Sequence, residues 1–247
     1  KDLYNCIDII KQNNCIAIGI INVVNSLIAR EVHCGVYLNA NREMAVASTK
    51  SFTSSLLVLY LISLWFYQKN NVINSSIFDN MHNLSRNISK VNLYIKNYPY
   101  LNNIILNLNK PSMFIIGKGN MEYVAKEGAL KFKEITYVHC EGYNASSLKH
   151  GPFALLNDNF PVILLIDKCH KKLLLNAYEE IKSRNAYCLI ITNDSNIDID
   201  NKLIVPNNDF SDILFSVLLQ NLAYELAIYK NINPDKPKNL AKVVSVD

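Results

Sequence analysis

Two rhythms of hydrophobic positions alternate along the chain. Leu3, Cys6, Ile7 and Ile10 are spaced as one face of a helix, which predicts a helix over Leu3–Gln12. Cys15–Ile21 is a continuous apolar run of strand length, Asn25–Arg30 a short helix and Cys34–Leu38 a second strand. That order points to a parallel sheet with crossover connections, whose strands are covered on both faces and need not alternate. Ser48 or Thr49 can cap the long helix that follows. Its run Leu56–Tyr67 carries Leu61, Ile62, Leu64, Trp65 and Phe66, bracketed by Lys50 and Lys69. The run is shorter than the roughly 18 residues of a membrane span, so it predicts a buried core helix.

Asn70–Tyr100 is polar and Asn-rich, with helical spacing over Ile77–Tyr98, and reads as a bridge between two units. A second alternation begins beyond Asn102–Asn109. It runs from a strand at Met113–Gly117 through the turn Gly117–Asn120 to a helix centred on Glu127–Glu134. A strand over Ile135–Cys140 follows. Further on come a strand at Pro161–Asp167, a helix at Lys171–Arg184, and strands at Ala186–Asn193 and Lys202–Val205. A helix over Phe210–Lys230 has Asp209 or Ser211 available at its start. The architecture is α/β, two doubly wound parallel-sheet units in tandem. The boundaries are 1–76 for the first unit, 77–108 for the bridge, 109–232 for the second unit and 233–247 for a tail. A faint echo links Ala47-Ser48-Thr49-Lys50 with Ala145-Ser146-Ser147-Leu148-Lys149, each in a polar loop after a strand.

Composition narrows the function classes. The chain has 247 residues, half of them hydrophobic, enough for one sizeable core or two smaller ones. Net charge is +4, and 25 basic residues are nearly matched by 21 acidic ones without a Lys/Arg block. This indicates no nucleic-acid surface. Cys6, Cys15, Cys34, Cys140, Cys169 and Cys188 mostly lie in apolar runs, with no Cys-x-x-Cys spacing. Buried, reduced thiols in a cytoplasmic protein are expected. The pairs His139-Cys140 and Cys169-His170 lack metal-site spacing, so no metal is expected. The chain begins at Lys1 without a signal peptide and reads as a fragment or a processed product. Gly117-Lys118-Gly119 can bring backbone N–H groups close to an anion or hydroxyl, but does not complete a dinucleotide fingerprint.

Proton-moving groups gather in Glu127–Pro152. Glu127, Lys131 and Glu134 sit at i, i+4 and i+7, on one face of a helix. His150 follows in a turn. Two carboxylates, an ammonium and an imidazole within one helix–strand–loop unit can carry acid–base chemistry. On spacing alone, a Glu–Lys pair is more often a solvated helix face.

The wording of the stretch carries more. Glu127-Gly128-Ala129-Leu130-Lys131-Phe132-Lys133-Glu134 and Leu148-Lys149-His150-Gly151-Pro152 resemble the second sugar-isomerase (SIS) domain of the glutamine–fructose-6-phosphate aminotransferase family. Val46-Ala47-Ser48-Thr49-Lys50 resembles a signature of that family's first such domain. Asn239-Leu240-Ala241-Lys242-Val243-Val244-Ser245-Val246-Asp247 resembles its closing segment. The resemblance implies an enzyme that makes glucosamine 6-phosphate in the cytoplasm, with no cofactor and no membrane attachment. In that scheme Glu134 is the C1–C2 base and Lys242 the imine-forming amine. His150 is the ring-opening acid/base, supplied by the neighbouring subunit of a homodimer. Glu127 and Lys131 support Glu134, while Val46, Ser48 and Ala241 line the sugar under the folded tail. The implied partners are fructose 6-phosphate and a glutaminase domain.

Departures accompany the likeness. Ser146-Ser147 stands where the family has Gly-Glu, and Lys238 where it has Arg. Neither the glutaminase domain nor the Ser/Thr-rich phosphate loop of the first domain lies in these residues. The first unit is therefore expected to be incomplete at its N-terminus, and the chain alone nearly inactive. Two alternatives stay open, a non-catalytic sugar-phosphate-binding module of the same fold and a phosphosugar isomerase without amination.

Overall fold

The computed structural model describes residues 2–242, which divide into two units. The first runs to Ile73 and takes back the tail from Asn239; the second is Asn74–Lys238. The first unit holds α1 (Asp2–Gln12), β1 (Ile18–Ile21), α2 (Leu27–Glu31), β2 (Cys34–Tyr37) and α3 (Lys50–Tyr67). β1 and β2 pair in parallel from Ile18↔Cys34 to Ile21↔Tyr37. Gly35 permits the pairing, because a Cβ there would stand 2.3 Å from the Gly19 carbonyl oxygen. Ser26 caps α2 by accepting the Ala29 N–H at 3.3 Å.

α3 corrects an expectation. It contains no buried residue, and Trp65, Phe66 and Tyr67 are all exposed. The helix does not close onto its sheet. A cavity of about 380 Å³ separates Val58, Leu61 and Ile62 from Ile18, Gly35 and Val36. Two strands offer too little surface to cover an 18-residue apolar helix. The thiols differ from expectation too. All six are free, but only Cys140 and Cys188 are buried; Cys6, Cys15, Cys34 and Cys169 are exposed.

The second unit is α4 (Ser75–His82), α5 (Leu84–Lys96), α6 (Leu101–Leu108), β3 (Ser112–Gly117), α7 (Asn120–Thr136), β4 (His139–Asn144), β5 (Pro161–Ile166), α8 (Lys171–Lys182), β6 (Tyr187–Thr192), β7 (Lys202–Ile204) and α9 (Ser211–Tyr229). Its five strands are parallel, in the order β4-β3-β5-β6-β7. Strand periodicity sorts the sheet's side chains between two faces. Phe114, Ile116, Val162, Leu164, Ile166, Cys188 and Ile190 pack with Leu174, Ala177 and Ile181 of α8. The opposite face is covered by α7, and α9 packs against α7 in turn. With both faces covered the three central strands, β3, β5 and β6, are buried almost throughout, as their continuous apolar runs require.

The segment expected to bridge the units belongs to the second. It forms α4 and α5 rather than one helix, and Leu84, Val91 and Ile95 enter the core. Asn80 donates to Asp209 at 2.7 Å, and Asn221 donates to Asn92 at 2.9 Å. Asp209 is thereby drawn away from capping α9, whose N-cap Phe210 provides no side-chain bond. α7 also outruns its expected end. Thr136 Oγ1 donates to the Phe132 carbonyl at 2.6 Å and accepts the Val138 N–H at 3.3 Å. Tyr137, at φ 60°, stops the helix in the left-handed region, so β4 starts only at His139.

Candidate active site

α7 is set at the carboxyl end of β3 by two glycines. A Cβ on Gly117 would lie 2.1 Å from the Met121 carbonyl oxygen, so only glycine lets the strand end approach the helix start. Gly119 is the N-cap at φ 59°, where side chains are strained. Gly128 brings α7 down onto α9 and β3, since a Cβ there would meet Leu219 at 2.5 Å and Ile115 at 3.3 Å. With Ala125, Gly128, Ala129 and Phe132 forming the buried stripe, Glu127, Lys131 and Glu134 fall together on the adjoining face.

The three charges make one cluster. Lys131 Nζ lies 2.7 Å from Glu134 Oε2 and 3.4 Å from Glu127 Oε1. The lysine is 3% exposed, and its partners 16% for Glu127 and 21% for Glu134. A solvated surface pair would not look like this. Lys131 Nζ is in close ion-pair contact with Glu134 Oε2. A carboxylate so paired keeps further lone pairs on its two oxygens, as a general base requires. Burial pushes the Glu127 carboxyl above its ordinary range, and the Glu134 charge adds to this. The Lys131 charge and hydrogen bond oppose both.

His150 closes a 3₁₀ turn, Ala145–His150, directly after β4, and is exposed. Asn144 starts that turn by accepting the Ser146 N–H at 3.0 Å. Lys118 donates to Ser146 Oγ at 2.9 Å and to Asn144 Oδ1 at 3.3 Å, and Asn144 donates to Glu122 at 2.5 Å. The turn that carries His150 is thus tied to the Gly117–Asn120 turn. Lys238, in place of the family's arginine, lays its ammonium 4.5 Å from the Tyr137 ring centroid, and its N–H donates to the Tyr137 hydroxyl at 2.7 Å.

The first unit holds the other expected residues. Lys242 Nζ donates to the Val46 carbonyl at 3.2 Å, with Ala241 beside it on the exposed tail. Ser48 Oγ and Ser51 Oγ lie 2.5 Å apart, and neither Ser48 nor Thr49 caps α3 with its side chain. Residues 243–247 of the closing segment lie outside the described residues. One residue of this region escaped sequence reasoning. Glu43 accepts the Thr49 N–H at 2.8 Å and the Ser51 N–H at 3.3 Å, and so supplies the cap itself. Burial pushes its carboxyl up, but the hydrogen bonds from Thr49 and Ser51 and the charge of Lys242 outweigh this and hold it below the usual range. The only available signal was an acid shortly ahead of a Ser/Thr-rich helix start.

The SIS domain family matches residues 1–64 and 107–229, most of both units. The chain belongs to the SIS domain family. Curated relatives that match along nearly the whole chain include isomerising aminotransferases. A protein of Acanthamoeba polyphaga mimivirus named "Probable glutamine–fructose-6-phosphate aminotransferase [isomerizing]" is 46% identical, over 100% of this chain and 41% of the relative. The glutamine–fructose-6-phosphate aminotransferase [isomerizing] of Encephalitozoon cuniculi is 38% identical, over 94% of this chain and 34% of its own length. Among solved structures, the C-terminal domain of glucosamine-fructose-6-phosphate aminotransferase from Francisella tularensis superposes with a TM-score of 0.83 at 30% identity. It covers 94% of this SIS chain and 68% of its own. The chain spans about two fifths or less of the length of these curated relatives.

Proposed function

We propose that this chain is the isomerase part of an enzyme that makes glucosamine 6-phosphate from fructose 6-phosphate and glutamine. The observation that carries the reading is the α7 cluster: a lysine 3% exposed, held 2.7 Å from the Glu134 carboxylate and 3.4 Å from that of Glu127.

Each step has a residue. His150 opens the sugar ring by passing a proton to or from the ring oxygen, and comes from the partner copy in a homodimer. The Lys242 amine attacks the C2 carbonyl of the open-chain ketose and expels water, forming an imine that acidifies the C1 proton. Ammonia from a glutaminase domain then adds to the imine carbon and expels the lysine amine, leaving a C2 imine; Glu134 takes the C1 proton of that imine and returns one to C2, giving the 2-amino aldose. Lys131 balances the charge that Glu134 sheds and regains, and Glu127 holds Lys131 from the other side. Val46, Ser48 and Ala241 line the sugar. The scheme runs on side chains alone, in a cytoplasmic protein whose six thiols are free.

The test is Glu134→Gln in the enzyme that contains this chain. Exchange of the C1 proton of fructose 6-phosphate with solvent, followed by NMR, is expected to fall on the order of 100-fold or more. Circular dichroism should stay that of the wild type. Exchange at the wild-type rate would remove Glu134 from the role. The same assay separates a sugar-phosphate-binding module, which would not catalyse exchange in the wild type either.

A further inference from the structure

The segment between β2 and α3 contains a carboxylate that the proposed chemistry leaves unused. Glu43 Oε1 accepts the Thr49 N–H at 2.8 Å and the Thr49 hydroxyl at 3.3 Å, and Oε2 accepts the Ser51 N–H at 3.3 Å. Both oxygens are thereby committed to the first turn of α3. A carboxylate suits this place, because the unpaired N–H groups and the helix dipole both favour negative charge. The consequence is a closed loop. Residues 44–48 are held between Glu43 and the helix they lead into, and Ala47 is 3% exposed within that loop. Val46 lies on it, and its carbonyl receives the Lys242 ammonium at 3.2 Å. Glu43, Ser51, Arg42 and Lys242 border one open depression of about 850 Å³. Lys50 turns its ammonium to the Arg42 carbonyl at 2.7 Å. Among the charged groups placed here, Arg42 and Lys50 share the sign of Lys242, and Glu43 alone opposes it.

We propose that Glu43 is a positioning residue for the Lys242 amine. By gripping the first turn of α3 it fixes the loop whose Val46 carbonyl receives the amine, and its charge draws the amine there against Arg42 and Lys50. The role rests on the reading of Lys242 as the imine-forming lysine. Glu43 touches neither substrate nor reacting atoms in this account. It sets where the amine waits, and so how often it stands in line with the C2 carbonyl.

The test uses the 247-residue chain labelled uniformly with ¹³C and ¹⁵N, the Lys242 side-chain signal being assigned from its loss in Lys242→Met. Glu43→Gln keeps the size and one acceptor but loses the charge and the second oxygen. It is expected to shift the Lys242 Cε signal and to speed amide exchange at Thr49 and Ser51. Glu43→Asp should restore part of both. Glu31→Gln, which removes a carboxylate paired with Lys11 in the same unit, should change neither. Should Glu43→Gln unfold the unit, the wild-type chain answers instead, because the Lys242 signal should follow the titration of the Glu43 carboxyl carbon. A Lys242 signal that ignores Glu43 in variant or titration overturns the proposal, even if exchange at Thr49 and Ser51 quickens; Glu43 would then be a helix cap only. Borohydride trapping with fructose 6-phosphate, in the enzyme that contains this chain, separates the two levels. Adduct on another lysine overturns the reading beneath the proposal, whereas adduct on Lys242 with an unresponsive signal overturns the positioning role alone.

Discussion

α3 and α9 are nearly the same helix by composition and opposite helices by environment. They have 18 and 19 residues and equal mean hydropathy, and each is long and apolar enough to cross a membrane. Yet 67% of the residues in that stretch of α9 are buried, and none of those in α3, which are half-buried or exposed. What differs is the packing around each helix. α9 is enclosed by α7, α5 and α6, whereas α3 stands off a pair of strands across a cavity. Apolar composition therefore marks a helix as able to be buried; the elements packed around it decide whether it is.

The comparison extends to topology. In the second unit α8, β6, β7 and α9 follow one another, with β6 and β7 neighbours in the sheet. The first unit repeats this as α1, β1, β2 and α3, with α2 inserted between its strands. Its counterpart is thus the second half of the other unit. This relocates the echo seen in the sequence. The loop with Ser48 and Thr49 precedes α3 and corresponds to the connection before α9, not to the Ala145–Lys149 turn after β4.

Core truncation should break the symmetry of the two helices most clearly. Leu222→Ala on α9 removes a fully buried side chain and is expected to cost about 2–5 kcal/mol. Leu59→Ala on α3, where the side chain is 50% exposed, should stay within about 0.5 kcal/mol. Urea titration followed by circular dichroism compares them, and equal losses would mean that α3 is covered. A smaller contrast lies in the thiols. Cys188→Ser places a hydroxyl in a buried site, at a cost of roughly 1–3 kcal/mol. Cys34→Ser on exposed β2 should be nearly neutral, within about 0.5 kcal/mol. Burial also pushes the Cys188 thiol up to about 12, so thiol reagents should reach it only on unfolding.

Much of this was legible in the residues. Apolar rhythm and turn residues placed the strands and helices in order, because in the second unit local pattern and tertiary burial agree. The Glu127–Lys131–Glu134 face followed from helical spacing alone. What spacing left open was its setting, since the near-complete burial of Lys131 depends on how closely Gly128 lets α7 approach α9. Other misses share a cause. Asp209 serves Asn80 rather than α9, and α7 continues until Thr136 bonds back to Phe132. Glu43 caps a helix from six and eight residues away. Asp209 and Glu43 act at a distance that local propensity does not encode, while Thr136 extends α7 through a bond one turn back.

The account turns on which lysine forms the imine, and borohydride reduction in the presence of fructose 6-phosphate asks that most directly. In the enzyme that contains this chain, peptide mapping is expected to find the sugar adduct on Lys242. Lys242→Arg should abolish labelling while sugar-phosphate binding remains, because arginine keeps the charge but is no amine nucleophile. Adduct on Lys131 or Lys50, or undiminished labelling in Lys242→Arg, would contradict the account.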